Sequence, residues 1–135
     1  MNEHRGRCAC SATEYALRGV PKFSYFCQCS QCQKATGTGH AALMMVRTED
    51  LVIHGPIRFF DRHADSGNVV SRGFCSVCGT PMVLKGSGYP HLRFLPVGSL
   101  DDPALFQPTR VLWHSAAQPW DPIGDGLTVH MRGVK

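Results

Sequence analysis

The residues best suited to chemistry are seven cysteines in three tight clusters: Cys8-Ala9-Cys10, Cys27-Gln28-Cys29-Ser30-Gln31-Cys32 and Cys75-Ser76-Val77-Cys78. Thiolates in such short spacings are zinc ligands, and four of them close a tetrahedral shell whereas three leave a position free for water or substrate. Cys75-x-x-Cys78 followed by Gly79 has the form of a zinc knuckle. The glycine can turn the chain back in the left-handed conformation while backbone N–H groups point at the sulfurs. A knuckle supplies half a tetrahedron. Cys8-x-Cys10 is the natural other half, since residues i and i+2 of a strand face one side. The expected structural zinc is therefore bound by Cys8, Cys10, Cys75 and Cys78.

Cys27, Cys29 and Cys32 remain for a second zinc, gathered where a strand end bends into a helical turn. The helix N-terminus there favours thiolate over thiol at Cys29 and Cys32. With no evident fourth ligand, this metal is an open Lewis acid able to bind a thiolate or polarise a carbonyl. Three alternatives stay open. His40, His63 or His114 completes a closed shell, the trio is redox-active, or it loses its metal easily.

The rest of the chain must position these groups. At 135 residues and 43% hydrophobic, it is long enough for one domain with a real core. The domain is expected over 5–125, with a tail over 126–135. Fourteen glycines and nine prolines leave no room for long helices. Nine β-like runs are expected, at Glu14–Leu17, Phe23–Cys27, His40–Val46, Leu51–His54, Arg58–Phe60, Val69–Phe74, Pro81–Leu84, Leu92–Val97 and Arg110–His114. They point to a mainly β protein, a sandwich or layered sheet. Helix is expected only at Ser30–Thr36, with Ser30 as N-cap and Gly37 ending it, and at Asp101–Phe106, with Asp102 capping and Pro103 starting it. In the tail, Leu127–Met131 is either an edge strand or disordered.

Composition narrows the function classes. The longest apolar runs, such as Ala41–Val46, are too short to span a membrane. The polar N-terminus has no apolar signal core, which argues for a reducing cytoplasm where clustered cysteines hold metal rather than disulfides. A zinc with four thiolates carries −2 and one with three carries −1, so the formal +4 falls to about +1 with both bound. That balance and the scattered lysines and arginines argue against a nucleic-acid partner. Trp113, His114, Ser115 and Trp120 are candidates to line a small-molecule pocket, but the favoured expectation puts Trp113 and Trp120 in the core with Ser115 closing a turn. Arg62, His63 and Arg72 are candidates for carboxylates of a small ligand, though each alone reads as solvated surface.

The combination of motifs resembles the glutathione-dependent formaldehyde-activating enzyme family, which shares its domain with centromere protein V. The matching stretches are Gly6-Arg7-Cys8-Ala9-Cys10 with Glu14-Tyr15, Cys29-Ser30-Gln31-Cys32-Gln33-Lys34-Ala35-Thr36-Gly37, and Arg72-Gly73-Phe74-Cys75-Ser76-Val77-Cys78-Gly79-Thr80. Val97-Gly98-Ser99-Leu100-Asp101-Asp102-Pro103 and Ser115 with Pro119-Trp120 complete them. The resemblance implies a zinc-stabilised β-tent of short antiparallel sheets. It implies a closed zinc on Cys8, Cys10, Cys75 and Cys78 and an open, catalytic zinc on Cys27, Cys29 and Cys32. The implied reaction joins formaldehyde, or another aldehyde, to glutathione or a similar small thiol, formally a carbon–sulfur lyase in reverse. The kinship with centromere protein V allows a second reading, a zinc-stapled protein-binding module without turnover. Two positions depart from the family pattern: Gln28 stands where histidine is common, and Ser11 where glycine is common.

Overall fold

The computed structural model describes residues 3–134. Its strands are β1 (Glu3–Arg7), β2 (Glu14–Arg18), β3 (Phe23–Cys27), β4 (Ala41–Arg47), β5 (Leu51–His54), β6 (Ile57–His63), β7 (Val69–Cys75), β8 (Pro81–Gly86), β9 (Leu92–Pro96), β10 (Arg110–Leu112) and β11 (Thr128–Val129). Among the described residues the only α-helix is α1 (Ser30–Thr36), a two-turn piece between β3 and β4. The expectation of a mainly β protein holds. A three-stranded sheet runs β1-β2-β5, and an eight-stranded sheet runs β11-β10-β3-β4-β9-β8-β7-β6. Pairing is antiparallel except at β10, which lies parallel to both β3 and β11.

Side-chain alternation along the strands explains how the layers pack. In β2, Tyr15 and Leu17 are buried. They meet Met44 and Val46 of β4, Leu95 of β9 and Met82 and Val83 of β8 in one core. The opposite parity of β4, Ala41 and Leu43, joins Tyr25 and Cys27 in a second cluster. Successive residues of a strand point to opposite faces, so β4 serves a core on each side of the large sheet. The cysteines divide in the same way. Cys8 and Cys75 belong to the first core, and Cys27 and Cys32 to the second.

Several local expectations are corrected. Strand β1 is absent from the sequence-based set because Glu-His-Arg-Gly-Arg has no aromatic or β-branched residue to suggest a strand. It forms because five residues pair in register with β2. Gly6 is needed there: a Cβ would run into the Tyr15 ring and the Ser99 carbonyl. Cys8 and Cys10 do not lie on a strand. The strand stops at Arg7, and the pair occupies the turn into β2. The N-cap of α1 is Cys29 rather than Ser30, while Gly37 ends the helix in the left-handed conformation as expected. The Asp102 cap is present, its carboxylate accepting from the Ala104 N–H at 3.0 Å over a single 3-10 turn. Trp113 and Trp120 are not core residues, being 37% and 63% exposed. Trp113 sits at a left-handed φ of 59° that ends β10 and turns its side chain out of strand alternation. The tail pairs through β11, and His114 N–H donates to the His130 carbonyl at 3.1 Å.

Candidate metal centre

The first cysteine group forms where the β1–β2 turn meets the end of β7. Cys8 N–H donates to the Thr13 carbonyl at 2.9 Å, and Thr13 N–H donates to Cys8 Sγ at 3.3 Å. This closes a tight loop that carries Cys10 back toward Cys8. The loop needs Ser11 at a φ of 66°, a left-handed conformation that glycine adopts without penalty. On the other side, a register shift at Gly73/Phe74 bends β7 just before Cys75. Gly79, at a φ of 82°, returns the chain with its N–H on the Cys75 carbonyl at 2.8 Å. Ala9 N–H donates to Thr80 Oγ1 at 3.1 Å and stitches the two turns together.

The sulfurs of Cys8, Cys10, Cys75 and Cys78 all lie within 4.8 Å of one another. Cys8 and Cys10 Sγ are 3.6 Å apart, and Cys10 and Cys75 Sγ are 3.9 Å apart. A tetrahedron with metal–sulfur bonds of about 2.3 Å has edges of about 3.8 Å, so the donor set and its spacing fit a tetrahedral metal. The Thr80 hydroxyl and N–H lower the Cys78 thiol to about 5, which prepares it as a thiolate ligand.

The second group lies on the other face of the large sheet. Cys27 is the last residue of β3, Cys29 caps α1 and Cys32 lies in its first turn. Their sulfurs also lie within 4.8 Å of one another. Cys29 Sγ accepts the Cys32 N–H at 3.3 Å. Hydrogen bonds from the Cys27 and Cys32 thiols, then from backbone N–H groups, hold Cys29 far below the ordinary thiol range. Cys27 is pushed up by the same partnership with Cys29 and Cys32 and by burial. For Cys32 the bond to Cys27 works downward, but Cys29 and burial outweigh it and leave the thiol raised to about 11. The three thiols thus act on one another directly, with Cys29 the most acidic of them.

None of the candidate histidines completes this shell. Among the described residues, no histidine, aspartate or glutamate joins the three sulfurs. His114 Nδ1 donates to Gln28 Oε1 at 2.9 Å, and His40 Nδ1 donates to Asp121 at 3.0 Å. His63 is exposed at the end of β6. Gln28 is fully buried, and its amide also donates to Asp121 Oδ2 at 3.3 Å. Its side chain is therefore committed to the C-terminal segment. Gln33 Nε2 donates to the Gln28 and Ala116 carbonyls at 2.8 and 2.9 Å, and Gln33 Oε1 accepts from Gln118 Nε2 at 2.9 Å. This network pins the loop of the trio to residues 112–121. The sequence gives no local sign of it, since the partners are 83 to 93 residues apart.

Beside Cys32 a cavity of about 360 Å³ opens between α1, β4, β7 and β8. Arg72 lines it and points Nη2 at Cys32 Sγ across 3.9 Å. Of the three candidate cations, then, Arg72 reaches the site, while Arg62 and His63 do not line the cavity. Trp113, Ser115 and Trp120 do not line it either.

The family model for the glutathione-dependent formaldehyde-activating enzyme matches residues 3–116. The chain belongs to that family. In this member of the glutathione-dependent formaldehyde-activating enzyme family, the match includes all seven cysteines and ends at Ala116, the last residue of the turn that carries His114. A crystal structure of a Rhodobacter sphaeroides protein has a similar fold, with a TM-score of 0.57 and 20% sequence identity over 72% of this chain and 87% of that one. No curated protein matches the chain. At family level the activity is glutathione-dependent activation of formaldehyde. Both cysteine groups are able to hold a metal ion. Among the described residues, no helix is long and apolar enough to cross a membrane.

Proposed function

We propose that the protein is a zinc enzyme that joins a small thiol, glutathione first, to an aldehyde, a carbon–sulfur lyase running in the direction of addition. In this reading Cys8, Cys10, Cys75 and Cys78 hold a structural zinc, and Cys27, Cys29 and Cys32 hold a catalytic one. The observation that carries it is the inequality of the two groups. Four sulfurs at tetrahedral spacing close one site, while three sulfurs, joined by no histidine, aspartate or glutamate among the described residues, stand next to a cavity. Zinc at an open site lowers the pKa of a bound thiol and holds it beside an electrophile.

The chain's own residues supply the rest. Cys29 already carries the charge of the trio through its thiol and N–H partners. Arg72, whose Nη2 lies 3.9 Å from Cys32 Sγ, offsets that charge and lines the cavity. Its donors suit the oxygen of an aldehyde, where charge develops as the carbon–sulfur bond forms. Gln28 and Gln33, bonded to His114, Asp121 and Ala116, keep the loop from shifting when substrate binds. Holding thiol and aldehyde in contact replaces a bimolecular encounter, an effect that can be large. Free cysteine ligands suit a reducing compartment, in keeping with a cytoplasmic enzyme.

Exchange NMR on purified zinc-loaded protein tests the proposal. Glutathione and formaldehyde should interconvert with their adduct faster than the uncatalysed reaction. No acceleration across several thiols and aldehydes, with two zinc ions bound, would remove the enzyme reading and favour a non-catalytic binding module.

A further inference from the structure

The cavity beside Cys32 is larger than formaldehyde requires and more apolar than the polar groups of glutathione suit. Its walls include Phe60, Phe74, Leu84, Pro96 and Val97. Among the described residues, Arg72 is its one charged lining residue. The hydroxyl of Thr36, another lining residue, donates to the Cys32 and His40 carbonyls at 2.8 and 3.1 Å, so it is not free to donate to a ligand. Glutathione carries two carboxylates, an ammonium and two amides. Burying them here would leave most without partners, which is costly. Formaldehyde has no substituent and would leave the space unfilled. An apolar cavity of about 150 Å³ is enough to hold benzene, and this one is about 360 Å³. Phe60 reinforces the point. It stands at the mouth, 65% exposed, with its ring available to cover an apolar ligand.

We propose that this cavity takes the apolar substituent of a larger aldehyde, a chain of about five or six carbons or an aromatic ring, with the carbonyl at the Cys32–Arg72 end. The inference rests on the thiol-addition reading above and names its aldehyde class. In the step, the thiolate sulfur forms a bond to the carbonyl carbon. The π pair moves to oxygen, which takes up the proton the thiol gave, and a hemithioacetal results. Nothing is oxidised or reduced.

The test compares KM and kcat/KM of the zinc-loaded enzyme, with glutathione held constant, for formaldehyde, propanal, pentanal, hexanal and benzaldehyde, each as acceleration over the uncatalysed rate. Each added methylene should lower KM about fourfold until the cavity is full. Gly98→Phe supplies the control. Gly98 lines the rim, has an ordinary φ, and a Cβ there meets nothing within 4 Å, so the new ring narrows the cavity without disturbing the core. It should raise KM for hexanal at least tenfold more than for formaldehyde, with the melting temperature unchanged. A flat chain-length series alongside genuine turnover of formaldehyde would overturn the cavity assignment and leave the family reading intact. If no aldehyde is accelerated, the enzyme reading fails and the cavity is decided by NMR titration with hexan-1-ol. Shifts confined to cavity residues and lost in Gly98→Phe support it, and their absence overturns it.

Discussion

At the scale of single residues, the two cysteine groups differ in what they would cost to disrupt. Cys78 is exposed and Cys32 is buried, which by burial alone would make Cys32 the more important for stability. The proposed metal ligation reverses that order. A closed structural zinc contributes folding energy outright, so Cys78→Ser should unfold or aggregate the protein. Cys32→Ser should leave the fold near intact, retain one zinc and abolish turnover. Circular dichroism, metal analysis and the exchange assay on the two variants check this, and an active Cys32→Ser enzyme would refute the role of the trio. Ser11 makes a subtler case. Its left-handed φ explains why glycine is the common residue there. Ser11→Gly should stabilise the protein by roughly 0.5–1 kcal/mol, read by chemical denaturation, because the strain relieved exceeds the added freedom of the unfolded chain.

At the scale of elements, the decisive contact joins the β3–α1 loop to the segment after β10. Gln28 is the keystone, since it bonds His114 and Asp121 from a fully buried position. Gln28→Leu keeps the bulk and removes both bonds. It should destabilise by about 1–3 kcal/mol for the polar groups left unpaired, and it should weaken metal at the trio more than at the four-cysteine group. Thermal melting and competitive chelation measure the two effects. Equal loss at both groups would mean that the network does not support the trio in particular. The family's usual histidine at this position would form different bonds, so Gln28, His114 and Asp121 are best viewed as one unit.

At the scale of the whole molecule, the large sheet separates the two cysteine groups, one on each face. They should therefore lose metal independently. A chelator is expected to strip the trio first, with folding preserved, and the four-cysteine group only as the protein unfolds. The pH dependence follows from the proton inventory. Cys29 is depressed and already ionised, whereas Cys27 and Cys32 are raised and carry protons at neutral pH. Metal binding at the trio should release about two protons, so the apparent affinity falls about a hundredfold per unit drop in pH. Calorimetry in buffers of different ionisation enthalpy counts the protons, and a value near three would contradict the ionised state of Cys29.

The division of seven cysteines into four and three, the mainly β architecture and the family were all legible in the chain itself. They rest on local signals: spacing within a knuckle, glycine after it, and short apolar runs between turns. Strand β1 was not legible, because its residues lack β propensity and only pairing with β2 makes them a strand. Nor were the exposure of Trp113 and Trp120, the commitment of His40 and His114 to Asp121 and Gln28, or the choice of Arg72 over Arg62 and His63. Each depends on contacts between residues far apart in the chain, which spacing does not encode. Short-range geometry sufficed to pick out the sulfurs; what stands beside them, and how much room is left there, was decided by which faces of the sheet the strands turned toward one another.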